Sequence, residues 1–218
     1  MFEILDKYCE RITPNLWGEP LNAVSNLAFI IAGFYLTRLL HSCKPRQNHQ
    51  VWDIFMLIGL IFLIGMGSFA WHLTAETWAL FADIIPVLLF INLFLVSFLY
   101  RVLNFSPKVI VVTIIIYQGL NYGIQSHFEP ELLNGSLFYL PTFIFLCALS
   151  YLLRQHKTFG LQTFYLSGLF AVALIFRTVD LTMCDSFPIG THFMWHLLIA
   201  FVLYRLSRLL IGHILRSV

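Results

Sequence analysis

Five residues in this chain have the types and spacings of a hydrolytic metal centre: Ser68, His72, Asp83, His192 and His196. His192 and His196 are one helical turn apart and share a helix face, and Ser68 and His72 have the same separation on an earlier segment. Three imidazoles from two helices suit a tetrahedral Zn²⁺ with its fourth position open. Such an ion turns water into a nucleophile near neutral pH. Asp83, eleven residues after His72, could hold that water or accept its proton, and Ser68 could donate a hydrogen bond to the oxyanion of a tetrahedral intermediate. A lone histidine near the end of an apolar run would read as an interfacial residue satisfied by water. It is the combination that points to a metal, because the chain carries no motif of the soluble zinc proteases.

The elements that must position these residues are membrane spans. Of 218 residues, 59% are hydrophobic and 11% charged, and the mean hydropathy is +0.82. The apolar residues fall into seven runs of the length that crosses a hydrocarbon core: residues 21–40, 53–72, 79–100, 108–126, 136–153, 160–179 and 191–211. The expected fold is all-α, a polytopic seven-transmembrane helix bundle forming a single domain over residues 1–218. Residues 1–20 form a polar extramembrane segment. That segment lacks the pattern of a cleavable signal peptide, so the first span is expected to insert as a signal anchor.

Basic residues sort by loop. Ten fall on one side: Arg38, Lys44, Arg46, Arg101, Lys108, Arg154, Lys157, Arg205, Arg208 and Arg216. Three, Lys7, Arg11 and Arg177, fall on the other. The positive-inside rule therefore predicts an outer N-terminus and a cytoplasmic C-terminus. The five candidate residues then share the outer level of the membrane with the polar N-terminal segment. The formal charge of +2 points to no particular partner, and no nucleic-acid binding is expected. His41, His49, His127, His156 and His213 read as solvated loop residues, Cys147 as a packing residue within a span, and Gly65, Gly67 and Gly119 as points of close helix approach.

Three motifs carry a resemblance. Gly65-x-Gly67-Ser68-x3-His72-x10-Asp83, the upstream Glu19-Pro20-Leu21-Asn22-x2-Ser25-Asn26, and the late His192-x3-His196 resemble those of the alkaline ceramidases. These belong to a larger group of seven-span membrane hydrolases that also includes the adiponectin-receptor-like proteins. The resemblance runs from Tyr8 to His196. It implies zinc on His72, His192 and His196, oxyanion stabilisation by Ser68, a catalytic role for Asp83, and cleavage of the amide of ceramide to a sphingoid base and a fatty acid. It implies interhelical hydrogen bonding for Asn22, Ser25 and Asn26. Eukaryotic members also carry a Ca²⁺ site of acidic residues before the first span. Glu10 and Glu19 match that region, Lys7 and Ile12 replace polar ligand positions, and Asp6 is the candidate third ligand. An acidic segment without metal is the alternative.

Two other functional classes stand beside the amidase: a non-catalytic lipid-binding receptor with a structural metal, and a b-type haem protein with histidine axial ligands. Ser68 and Asp83 argue against the receptor, since a structural zinc needs neither. The partner expected is a membrane lipid, and the expected location is a bacterial inner membrane, or the ER or Golgi membrane in a eukaryotic host. Cys9 and Cys184 fall in outer segments, where disulfides persist, and spans one and seven are commonly neighbours in a closed bundle. A Cys9–Cys184 bridge is therefore expected, with two free thiols as the alternative.

Overall fold

A computed structural model describes residues 7–42 and 51–216. Asp6 and Cys43 lie outside the described residues. The chain is all-helical, with no strand among the described residues. Among the described residues seven helices are long and apolar enough to cross a membrane: α1 Pro20–Ser42, α2 Trp52–Thr74, α3 Thr77–Arg101, α4 Pro107–His127, α5 Leu132–Leu152, α6 Phe159–Val179 and α7 His192–Ile214. Each overlaps an apolar run read from the sequence. The fifth starts earlier than expected because Leu133, Asn134 and Gly135 form a left-handed turn within a 3-10 segment, Leu132–Tyr139, that leads into the helix.

Burial divides the helices into inner and outer ones. Half of the apolar window of α2 and of α7 is buried, against 17% for α4. The two helices that carry the three histidines are thus among the most enclosed, and α4 presents Val111, Ile115 and Ile116 outward as a lipid-facing side would. Leu36 of α1, Leu57 and Ile61 of α2, Phe98 of α3 and Leu210 of α7 form the centre of the core.

Three local devices set the register at the level of the site. Ala75 adopts a left-handed conformation (φ 52°) and its N–H caps the Trp71 carbonyl, so α2 stops sharply and α3 begins two residues later. The short link makes α2 and α3 antiparallel neighbours. Pro86 lies within α3 and cannot donate to the carbonyl of Ala82, one turn back. Gly67 of α2 sits against that carbonyl so closely that a Cβ would overlap it. The close approach of Gly67 and Ala82 brings Ser68 and Asp83, their sequence neighbours, into the same region. At the opposite end Arg101 donates from Nε and Nη2 to the two oxygens of Asp53, at 2.8 and 2.7 Å, and ties the far ends of α2 and α3.

Candidate metal centre

His72 is in the last turn of α2; His192 and His196 are in the first two turns of α7. All three are buried, and one nitrogen from each lies within 4.8 Å of the others. The hydrogen bonds at the far sides of two rings fix which nitrogen faces inward. His72 Nδ1 is 2.5 Å from Glu19 Oε2, an acceptor, so Nδ1 carries the proton and Nε2 keeps its lone pair. The Ser25 hydroxyl donates to the Asn22 carbonyl at 2.7 Å, and Ser25 Oγ lies 2.7 Å from His196 Nδ1. Its proton being used on Asn22, Ser25 accepts from His196, which again leaves Nε2 bare.

The two bare Nε2 atoms face each other at 3.2 Å. Two lone pairs at that distance repel unless a cation or a shared proton lies by them. Zn–N bonds of about 2.0–2.1 Å in a tetrahedron place two ligand nitrogens roughly 3.3 Å apart. The pair therefore fits a zinc ion. His192 Nδ1 is buried without a hydrogen-bond partner, so the third ring also has a nitrogen that no protein group satisfies. The donor set fits a metal.

The N-terminal segment closes this centre. The Tyr8 ring stacks on His192 at 3.9 Å between centroids and lies 5.1 Å from the His72 ring; burial pushes its phenol pKa up. Glu19 Oε1 accepts from Arg11 Nε at 2.6 Å, and Asn22 Nδ2 reaches Oε2 at 3.1 Å. Burial by itself would raise the Glu19 carboxyl, but the hydrogen bonds it accepts from His72, Arg11 and Asn22 hold it below the usual range. Arg11 Nη2 also donates to the His72 carbonyl at 2.9 Å, so one guanidinium grips both the orienting carboxylate and the backbone of the histidine it orients.

This bears on calcium. Glu10, expected as a calcium ligand, accepts from the backbone N–H of Leu21 and Asn22 at 2.6 and 2.8 Å, capping the start of α1. Burial nevertheless leaves its carboxyl raised. Glu19 is committed to Arg11, His72 and Asn22. Among the described residues, the one group of three or more His, Cys, Asp or Glu that could hold a metal is His72, His192 and His196.

Ser68 and Asp83 line the same cavity as His192 and His196. Cys9 and Cys184 are joined by a disulfide with Cα atoms 5.2 Å apart, and Cys147 is a free thiol. Next to the bridge, Asp180 Oδ2 accepts from the Cys9 N–H at 3.1 Å, and Oδ1 accepts from the N–H of Thr191 and His192 at 2.5 and 2.9 Å. Asp180 thus caps α7 at the residue that carries the first imidazole. Gly190, with φ +66°, leaves room for it, because a Cβ there would overlap Asp180 Oδ1.

Sequence reasoning missed the roles of Asp180, Arg11 and Tyr8, and left Glu19 between a calcium ligand and an acidic residue without metal. Their partners lie far along the chain, and the one available signal was the presence of charged residues in segments flanking apolar runs. Behind the metal centre lies a cavity of about 300 Å³. Val87, Phe90 and Phe94 of α3 and Leu206 of α7 are among its lining residues, and most of its wall is apolar.

Fold and site together define an all-helical, seven-span protein with a buried three-histidine centre at the head of an apolar cavity. The family profile described as Ceramidase matches residues 7–216 of the 218, and the chain belongs to that family. No curated protein matches the chain.

Proposed function

We propose that this protein is a zinc-dependent intramembrane amidase that hydrolyses the N-acyl amide of a ceramide-like lipid to a long-chain base and a fatty acid. The observation that carries the reading is the 3.2 Å approach of His72 and His196 Nε2 with both Nδ1 atoms engaged elsewhere. Membership of the ceramidase family supports the substrate class.

His72, His192 and His196 would hold the ion, which when bound polarises the amide carbonyl and lowers the pKa of water. The remaining steps belong to the chain's own residues. The apolar cavity takes the acyl chain and excludes water from everything but the histidine end. Ser68 donates its hydroxyl proton in a hydrogen bond to the carbonyl oxygen as that oxygen gains charge. Asp83 accepts the proton of the attacking water as the new C–O bond forms, and returns it to the amine nitrogen as the C–N bond breaks. Glu19 and Ser25 keep His72 and His196 in the tautomers that present Nε2. Positive-inside charge supports an orientation that opens the site to the outer side.

The test is fatty-acid release by purified protein from a panel of N-acyl lipids, before chelation, after it, and after return of zinc. The reading predicts release that is lost on chelation and restored by zinc. Absence of amide cleavage across the panel by zinc-loaded protein would overturn it, in favour of the lipid-binding receptor.

A further inference from the structure

The cavity behind the metal centre has a floor, and the helices show where it lies. On α3 the lining runs from Asp83 to Leu95, and on α7 from His196 to Leu206. At the helical rise these stretches give a depth of about 15–18 Å, roughly half the thickness of a hydrocarbon core. A cavity that starts near one face of the membrane with that depth ends near its middle.

Leu95 of α3, Leu149 of α5 and Leu206 of α7 are the deepest lining residues on their helices. One turn further on, Phe98, Leu153 and Leu210 are fully buried, belong to the core and lie outside the lining. A column of aromatic rings on α3 crosses the same boundary. Phe90 and Phe94, with centroids 6.0 Å apart, line the cavity, and Phe98, 5.5 Å beyond Phe94, closes the next turn. On α2 the lining ends sooner, at Ile64, and the deeper Ile61 and Leu57 are buried. The cavity therefore loses one of its walls to core packing before it reaches the floor.

An apolar shaft over a packed floor measures the chain that enters it. Each methylene that leaves water for the shaft favours binding until the chain meets the floor. A longer chain must push into close-packed side chains or fold back on itself, and extra methylenes forced into a packed core are destabilising. An extended hydrocarbon chain advances slightly less per carbon than a helix does per residue, so the shaft holds about 12–14 carbons. We infer that Phe98, Leu153 and Leu210, with the leucines seated on them, set an upper limit on the N-acyl chain at about that length. The inference rests on the amidase reading and deepens it: among neutral ceramide-like lipids, those with a medium-length acyl chain are the preferred substrates.

The test is competition between ceramides of one long-chain base that differ only in a saturated acyl chain, from octanoyl through dodecanoyl and hexadecanoyl to octadecanoyl. All are held in mixed micelles of a neutral detergent with full-length, zinc-loaded protein. Wild type is expected to favour dodecanoyl over octadecanoyl by about tenfold or more in kcat/KM, the range for overfilling a packed site. Phe98→Ala removes the plug on α3 and should raise the octadecanoyl-to-dodecanoyl ratio by about tenfold. Leu206→Phe raises the floor and should lower dodecanoyl against octanoyl by a similar factor. Both substrates compete for the same molecules, so these ratios do not depend on how much of a variant folds. Wild type that cleaves octadecanoyl as well as dodecanoyl overturns the inference, as does a length limit that follows the base instead of the acyl chain. Ratios that neither variant moves overturn it too. If no N-acyl lipid is cleaved, the amidase reading fails by itself, and displacement of a fluorescent fatty acid by saturated fatty acids of the same lengths decides this one. Affinity that stops rising beyond dodecanoic acid, and stops sooner in Leu206→Phe, supports the floor, and affinity that climbs through octadecanoic acid in both refutes it.

Discussion

Glu19 Oε2 lies 2.5 Å from His72 Nδ1 across 53 residues of sequence, joining the segment before α1 to the end of α2. A carboxylate behind a metal-ligating imidazole fixes its tautomer and raises its basicity, and loss of such a partner typically costs about 10–100-fold in metal affinity. Glu19→Gln should therefore weaken zinc binding by about that factor, measured by competition against a chromophoric chelator. Unchanged affinity would reduce Glu19 to a partner of Arg11 alone.

Asp83→Asn keeps the shape of the side chain and removes its ability to accept a proton. The expected protein retains its zinc and loses turnover on the best lipid found. Ser68→Ala should slow turnover by about 10²-fold, the range for loss of one oxyanion donor. Single-turnover assays on zinc-matched samples check both, and a fully active Asp83→Asn protein would remove Asp83 from the reaction.

Gly67→Ala tests the packing that brings Ser68 and Asp83 together. The added methyl meets the Ala82 carbonyl that Pro86 leaves without a helical donor. To accommodate it α2 and α3 must separate, and a displacement of about 1 Å at a catalytic pair costs roughly 10²-fold. The expected variant keeps its zinc, since Gly67 lies more than a turn from His72 and on a different helix from His192 and His196, and loses activity. Full activity would show that the helices have slack at this point.

The Cys9–Cys184 bond closes a segment of 175 residues and holds Tyr8 over His192. A bridge of this kind contributes about 2–5 kcal/mol. Reduction, or Cys9→Ser with Cys184→Ser, should lower the thermal midpoint by about 5 °C or more. Mass mapping of the untreated protein should find Cys9 and Cys184 linked and Cys147 free. Two free thiols at positions 9 and 184 would contradict the outer placement of both segments.

How much was legible in the sequence depended on the range of the interaction. Spans show themselves in runs of apolar residues, and His192 and His196 in a spacing of four, because both signals are local. The aim of His72 at His196 followed from three candidate ligands on two helices. The identity of the carboxylate behind His72 did not follow. An acidic residue ahead of a span reads equally as a metal ligand or a hydrogen-bond acceptor, and only the fold shows that Arg11 and His72 occupy the Glu19 oxygens and that Glu10 is spent capping α1. Asp180 was invisible for the same reason. Its three backbone donors, at Cys9, Thr191 and His192, come from two distant segments.

The central claim is that His72, His192 and His196 hold one zinc ion between them. It is tested most directly by elemental analysis of purified wild type and of the three single alanine variants, with folding verified by a retained monodisperse elution profile. The account predicts about one zinc per chain in wild type and loss of most of the metal in His72→Ala, His192→Ala and His196→Ala alike. Wild-type protein that takes up no zinc, or three variants that each keep a full equivalent, would contradict it.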